Sequence, residues 1–122
     1  MITSKYFKEG EFARCTPSCS LQDMDQRTME KLDAVREMAK IPLVLNSAYR
    51  SVEHERKMGR DGTSSHTKGR AVDIRCNTSA NRFKIIFCAL AVGFRRIGVG
   101  KNYVHLDDDP AKSQNVIWHY YA

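Results

Sequence analysis

One stretch restricts the fold of this chain more than any other: Ser64-Ser65-His66-Thr67-Lys68-Gly69-Arg70-Ala71-Val72-Asp73-Ile74. Asp61-Gly62-Thr63-Ser64-Ser65 ahead of it reads as a loop by its glycine and hydroxyls. Arg70 to Cys76 then alternates apolar and polar side chains, as a half-buried strand does. Residues two apart on a strand face the same way, so Ala71 and Asp73 share one face and Val72 and Ile74 the other. Gly69 lets the backbone turn between the loop carrying His66 and the strand carrying Asp73. A small residue beside the carboxylate leaves room for a metal ion. Ser64 is placed to hold the loop, or to accept from His66 and orient it.

A second alternating segment, Tyr103-Val104-His105-Leu106-Asp107, supplies another imidazole in mid-strand, with Asp107 on the same face. Each residue alone has an ordinary reading. A loop histidine is most often solvated, and a strand aspartate is often a turn or edge residue. Together, two histidines and an aspartate make a three-ligand zinc set with one position open. That open position separates a catalytic zinc from a structural one.

The rest of the chain sets these two segments in an α+β domain. Tyr6 to Phe12 is a short N-terminal segment with anchoring aromatics. Ser20 to Lys40 carries a helical pattern, with Leu21, Met24, Met29, Leu32, Val35 and Met38 at spacings near three and four. Asp23 and Asp25 suit caps or first-turn positions. Ile41-Pro42 closes the pattern, because proline restricts the residue before it. Leu43 to Tyr49 reads as a strand, and Arg50 to Arg60 as a short polar helix or turn. A second helix starts at Asn77-Thr78-Ser79, has apolar positions at Phe83, Ile86, Phe87, Leu90 and Ala91, and closes at Gly93. Phe94–Val99, Tyr103–Asp107 and Val116–Tyr121 complete a β-rich tail, with Lys101-Asn102 turning the first into the second. The expectation is one small domain over 1–122: a mainly antiparallel sheet packed with two main helices.

Composition narrows the partners. The net charge is +6, which favours an anionic partner; nucleic acid, anionic lipid and anionic cell-wall polymer all qualify. The basic residues are scattered, with no basic block interleaved with aromatics, so nucleic acid is not expected. No apolar run approaches the ~20 residues of a membrane span, and membrane insertion is not expected. The N-terminus has no apolar core of signal-peptide length. The protein is therefore expected to be made in the cytoplasm and to reach any outside substrate by another route. Cys15, Cys19, Cys76 and Cys88 leave three readings open: buried free thiols, a disulfide gained after release, or a structural metal site. A monomer is expected.

The motif Ser64-x-His66-x-x-Gly69-x-Ala71-x-Asp73 resembles the signature of the zinc D-alanyl-D-alanine carboxypeptidases. That family also contains vancomycin-resistance dipeptidases and phage L-alanyl-D-glutamate endopeptidases. Ser47-Ala48-Tyr49-Arg50-Ser51 is similar to its S-G-Y-R-S element, with alanine for glycine. Val104-His105-Leu106-Asp107 resembles its V-H-x-D element, and Tyr6-Phe7 with Glu11-Phe12 resembles the start of small members. The resemblance spans nearly the whole chain and implies a hedgehog/DD-peptidase-like fold. It implies His66, Asp73 and His105 as ligands of Zn2+, and Arg50 as the cation that meets the scissile carbonyl and its developing oxyanion. Without the motif, Arg50 would read as a surface salt bridge. Ser64 and Tyr49 would contact substrate, though Tyr49, like Trp118, also reads as a core or cleft wall.

One departure matters. Many members carry a general base two or three residues before the last zinc ligand. Here those positions hold Tyr103 and Asn102, which are poor bases near neutral pH. Asp107 is the substitute expected to act as base; its rival roles are support of His105 or an ordinary turn acid. His54 and His119 are more distant candidates. The implied function is a zinc metallopeptidase of peptidoglycan, cutting a stem-peptide bond next to a D-amino acid. A short basic domain suits a phage or prophage endolysin, with a bacterial wall enzyme second. The competing reading is a catalytically impaired zinc-binding module that only binds wall peptide. Which bond is cut, carboxypeptidase or endopeptidase, has no code in the sequence.

Overall fold

Helix α2 (Gln26–Ala39) shows how the pattern becomes structure. Asp25 caps it, its carboxylate accepting from the Thr28 N–H, and Lys40 ends it in a left-handed conformation. Met29, Leu32, Val35 and Ala39 form its buried face, at the spacing a helix requires. The helix is shorter than the pattern over 20–40, because Leu21–Asp23 is a separate 3-10 turn capped by Ser20. The computed structural model describes residues 1–121.

Among the described residues three further α-helices are present: α1 (Glu9–Ala13), α3 (Val52–Lys57) and α4 (Ser79–Val92). Ser51 caps α3 through the His54 N–H, and Thr78 caps α4 through the Asn81 N–H. Helix α4 differs from the expected stripe. It buries Ile85, Cys88 and Ala89, whereas Phe83 and Phe87 are exposed. The helix is apolar almost all round, so periodicity does not say which stripe packs; contact with α2 and the sheet does.

The strands are β1 (Leu45–Ser47), β2 (Ala71–Arg75), β3 (Arg96–Val99), β4 (Tyr103–Asp107) and β5 (Val116–His119). They form one sheet in the order β1-β2-β4-β3-β5. The pairings β1–β2, β2–β4 and β4–β3 are antiparallel; β3–β5 is parallel. The domain is thus α+β with a mainly antiparallel sheet, as expected. Strand β1 is shorter than the apolar run suggests, with a register irregularity between Leu45 and Ser47.

The two faces of the sheet do different work. Val72, Ile74, Ile97, Val104 and Leu106 join Phe12, Met29, Leu32, Val35 and Phe94 in one core. Each such fully buried side chain contributes roughly 1.5–3 kcal/mol over exposure. The alternate residues, Asp73, His105, Asp107 and Gly98, face the other side. All four cysteines are free thiols, with Cys15, Cys76 and Cys88 buried and Cys19 half-buried.

Candidate metal centre

Strand register places Asp73 directly opposite His105, although 32 positions separate them. Side chains at opposed positions of an antiparallel pair are close neighbours. His105 Nδ1 lies 3.0 Å from Asp73 Oδ1, and its Nε2 lies 2.6 Å from Asp107 Oδ2. His66 arrives from a 3-10 turn, Ser65–Lys68, and not from an irregular loop. Gly69 ends that turn at φ +68, packed against the backbone of Asp23 and Met24. The Gly69 carbonyl accepts from the Asp25 N–H at 2.9 Å, which fastens the turn to the start of α2.

Each imidazole is oriented from behind. The Ala48 carbonyl lies 2.6 Å from His66 Nδ1. A carbonyl can only accept, so Nδ1 donates to it, and the ring is held with Nε2 turned to Asp73 Oδ2 at 3.5 Å. Of the two roles open to Ser64, it holds the turn, its carbonyl accepting from the Thr67 N–H and hydroxyl, and does not bond the ring. The Ser64 hydroxyl has no partner and lines the cleft, while neighbouring Ser65 donates to Asp109. The donor atoms of His66, Asp73 and His105 all lie within 4.8 Å of one another. Two imidazoles, each with a backing partner, and a carboxylate on one small patch suit a zinc ion with a position left open.

The charges are balanced within the cluster. Burial alone would raise the Asp73 carboxyl, but hydrogen bonds and charge from His105 and His66 outweigh it and hold it well below the usual range. Burial would lower His105, but Asp107 and Asp73 on either side raise it above its ordinary value. Asp107 is buried yet held ionised, mainly by His105, with the Asp109 N–H and Arg96 contributing. Its Oδ1 accepts from Arg96 Nε at 2.7 Å and from the Asp109 N–H at 3.2 Å.

These groups line a cleft of about 610 Å³ together with Arg50, Arg60, Lys112, Tyr103, Trp118 and Tyr120. Gly98 opposes His105 on the other flank, and its missing side chain admits Trp118 and Tyr120 beside the imidazole. A second groove of about 670 Å³ runs along β1 between Glu11, Arg14 and Asn46, but holds none of the metal-ligating cluster. Arg50 reaches the cleft from the loop after β1. Its Nη1 donates to Ser47 Oγ at 3.3 Å, and its Nε forms a close ion pair with Glu55 Oε2 at 2.9 Å, not aligned as a hydrogen bond.

A family model described as Peptidase M15 matches residues 5–107. The chain belongs to the peptidase M15 family. The match spans every element from α1 to β4, including the three clustered ligands and Arg50. A comparison with curated proteins gives no match. M15 membership brings a metallopeptidase family, zinc-dependent in its chemistry, to a chain whose cleft holds a His-Asp-His cluster.

The candidates fall into place unevenly. His66, Asp73, His105, Arg50, Ser64 and Asp107 line the one cleft, whereas Tyr49 packs partly buried against the core. His54 lies on α3 and His119 is exposed on β5; neither lines the cleft. Sequence reasoning missed Glu55, the fully buried anchor of Arg50. It also missed Arg96, which bonds Asp107 and lies over Trp118 at 5.0 Å. Two acids that follow β4, Asp108 and Asp109, each have a buried hydroxyl partner and a lysine. Asp108 takes Thr28 at 2.6 Å and Lys31 at 3.1 Å, and Asp109 takes Ser65 and Lys68, both at 2.9 Å.

Proposed function

We propose that the chain is a zinc-dependent peptidoglycan peptidase that hydrolyses a stem-peptide bond next to a D-amino acid, as a carboxypeptidase or endopeptidase of the endolysin type. The observation that carries this reading is the convergence of His66, Asp73 and His105 donor atoms within 4.8 Å on the floor of a cleft that Arg50 also lines. A zinc ion held by these three residues would supply polarisation of the amide carbonyl and a water of lowered pKa. Arg50, held by Glu55 and Ser47, offers a fixed guanidinium to the oxygen on which negative charge grows. Ser64 lines the cleft beside His66, and Tyr49, next to Arg50 in sequence, packs against the core. Tyr103, Trp118 and Tyr120 give the peptide an apolar wall.

Asp107 acts in this scheme through His105. Its Oδ2 is on the imidazole and its Oδ1 is taken by Arg96 and a backbone N–H, which supports orientation of the ligand over the role of base. The surplus of cations on the chain suits an anionic wall polymer.

The test is digestion of purified sacculi, with the new termini identified by mass spectrometry. Cleavage that stops with chelator and in His66→Ala, and returns with zinc to the parent alone, is the expected result. A second reading rests on Tyr103 and Asn102 at the family's base positions: a module that binds zinc and wall peptide without cutting. One equivalent of bound zinc with no cleavage of any stem peptide would establish it and refute the peptidase.

A further inference from the structure

Helix α4 carries an apolar face that nothing among the described residues covers. Phe83 is 71% exposed and Phe87 60%, and their rings stack at 6.0 Å. Ile86 and Leu90 continue this face one turn apart, and Leu90 borders Ile117 of β5, itself 58% exposed. Large apolar side chains grouped in this way mark an interaction surface.

The charge around the face selects its partner. No Asp or Glu occurs between Asp73 and Asp107, while Arg75, Arg82, Lys84, Arg95, Arg96 and Lys101 do, Arg96 alone of them being paired with a carboxylate among the described residues, Asp107 in the cleft. Arg82 and Arg95 border the apolar residues at the two ends of α4, and Lys84 stands exposed between Phe83 and Phe87 in sequence. The acids of the neighbouring helix α2 turn elsewhere. Asp33 and Glu37 bond Ser4, Lys5 and Tyr6 of the N-terminal segment, and Glu30 bonds Gln26. A second copy docked through this face about a two-fold axis would set like cations against one another. A surface that is anionic outside and apolar beneath would satisfy both features.

The geometry points to α4 as a docking face for an anionic lipid bilayer, with Phe83 and Phe87 set into the headgroup boundary and Arg82, Lys84 and Arg95 at the phosphates. Binding of this kind needs one apolar stripe and flanking cations, and no spanning segment. Among the described residues no helix is long and apolar enough to cross a membrane. The topology gives the contact a consequence. Helix α4 packs on the face of the sheet that carries Val104 and Leu106, whereas Asp73 and His105 project from the opposite face. A chain resting on a bilayer through α4 therefore presents its cleft away from the membrane. The docking holds whether or not the cleft cleaves peptide.

Sedimentation with vesicles tests it on the full chain. The parent is expected to sediment with phosphatidylglycerol–phosphatidylcholine vesicles at low salt, weakly with phosphatidylcholine alone, and progressively less as salt rises. The Phe83→Ser/Phe87→Ser pair is expected to lose roughly tenfold in partitioning for each ring removed. Lys84→Glu should weaken binding to anionic vesicles only. All three positions are exposed, so circular dichroism should record an unchanged fold. Three results would overturn the proposal: no parent binding to anionic vesicles, equal binding by the serine variant, or a dimer in sedimentation velocity that the serine variant dissolves.

Discussion

Replacing Gly69 by alanine isolates the contact that fastens the His66 turn to α2. The added methyl meets two costs. At φ +68 an L side chain is strained, at roughly 1 kcal/mol. The new Cβ also falls on the carbonyl oxygen of Asp23 and within 2.9 Å of Met24 Cα. Both are backbone atoms that cannot swing aside, and overpacking of that kind costs about 1–3 kcal/mol more. The sum is about 3 kcal/mol. For a chain of 122 residues the unfolding entropy is roughly 0.26 kcal/mol/K, so Tm should drop by about 12 °C. Gly59 is the internal control. Its φ is +85, but a Cβ there meets nothing within 4 Å. Gly59→Ala should carry only the backbone strain, about 1 kcal/mol or 4 °C. Thermal unfolding followed by circular dichroism reads both. Equal losses in the two variants would refute the close packing of Gly69 on the Asp23–Met24 backbone, and with it the reason for a glycine in the middle of the metal-ligand motif.

Three further outcomes follow from named contacts. Glu55→Gln keeps the shape but strips the buried partner from Arg50; stability should fall by about 3 kcal/mol in urea. In the same variant kcat on a stem peptide should drop about a hundredfold with zinc content unchanged, and an unaltered kcat would remove Arg50 positioning from the scheme. Asp107→Asn should weaken zinc binding by 10–100-fold, measured by competition with a chelating dye, because the contact behind His105 loses its charge; normal zinc affinity with abolished turnover would instead make Asp107 the base. Asp109 gives the pH dependence. Burial would raise its carboxyl, but Lys68, the Ala111 N–H and Ser65 bring it down to about 2. A depressed folded value means its stabilisation, about 2 kcal/mol, is complete above the ordinary value of about 3.9 and is lost as pH falls through about 2. Urea unfolding between pH 5 and pH 2 should record that loss in the parent, and Asp109→Asn should flatten the acid limb.

Much of the fold was legible where a local pattern had only one structural solution. The Met29–Val35 stripe, the Arg70–Cys76 alternation and the Tyr103–Asp107 strand all appear within a residue or two of where periodicity put them. The pattern failed where a segment is apolar on every side. In α4 the equally spaced Phe83 and Phe87 looked like packing residues, and Ile85, Cys88 and Ala89 took the core instead. Propensity does not choose between two apolar stripes; the shape of the space left by α2 and the sheet does.

The sequence by itself determined the chemistry on offer: two imidazoles, a strand carboxylate, a glycine between them and an arginine in a polar segment. Side-chain alternation even specified which residues share a face with Asp73 and His105, because the strand period is a local property of the backbone. Only the tertiary structure decided who stands behind them. Ala48 backs His66, Asp107 and Arg96 back His105, and Glu55 backs Arg50. Asp108 and Asp109 reach back to α2 and to the Ser65–Lys68 turn. These pairings join segments distant in the chain, set by strand register and helix packing. A hydrogen bond requires atoms within about 3 Å, and no local pattern encodes that distance across the fold.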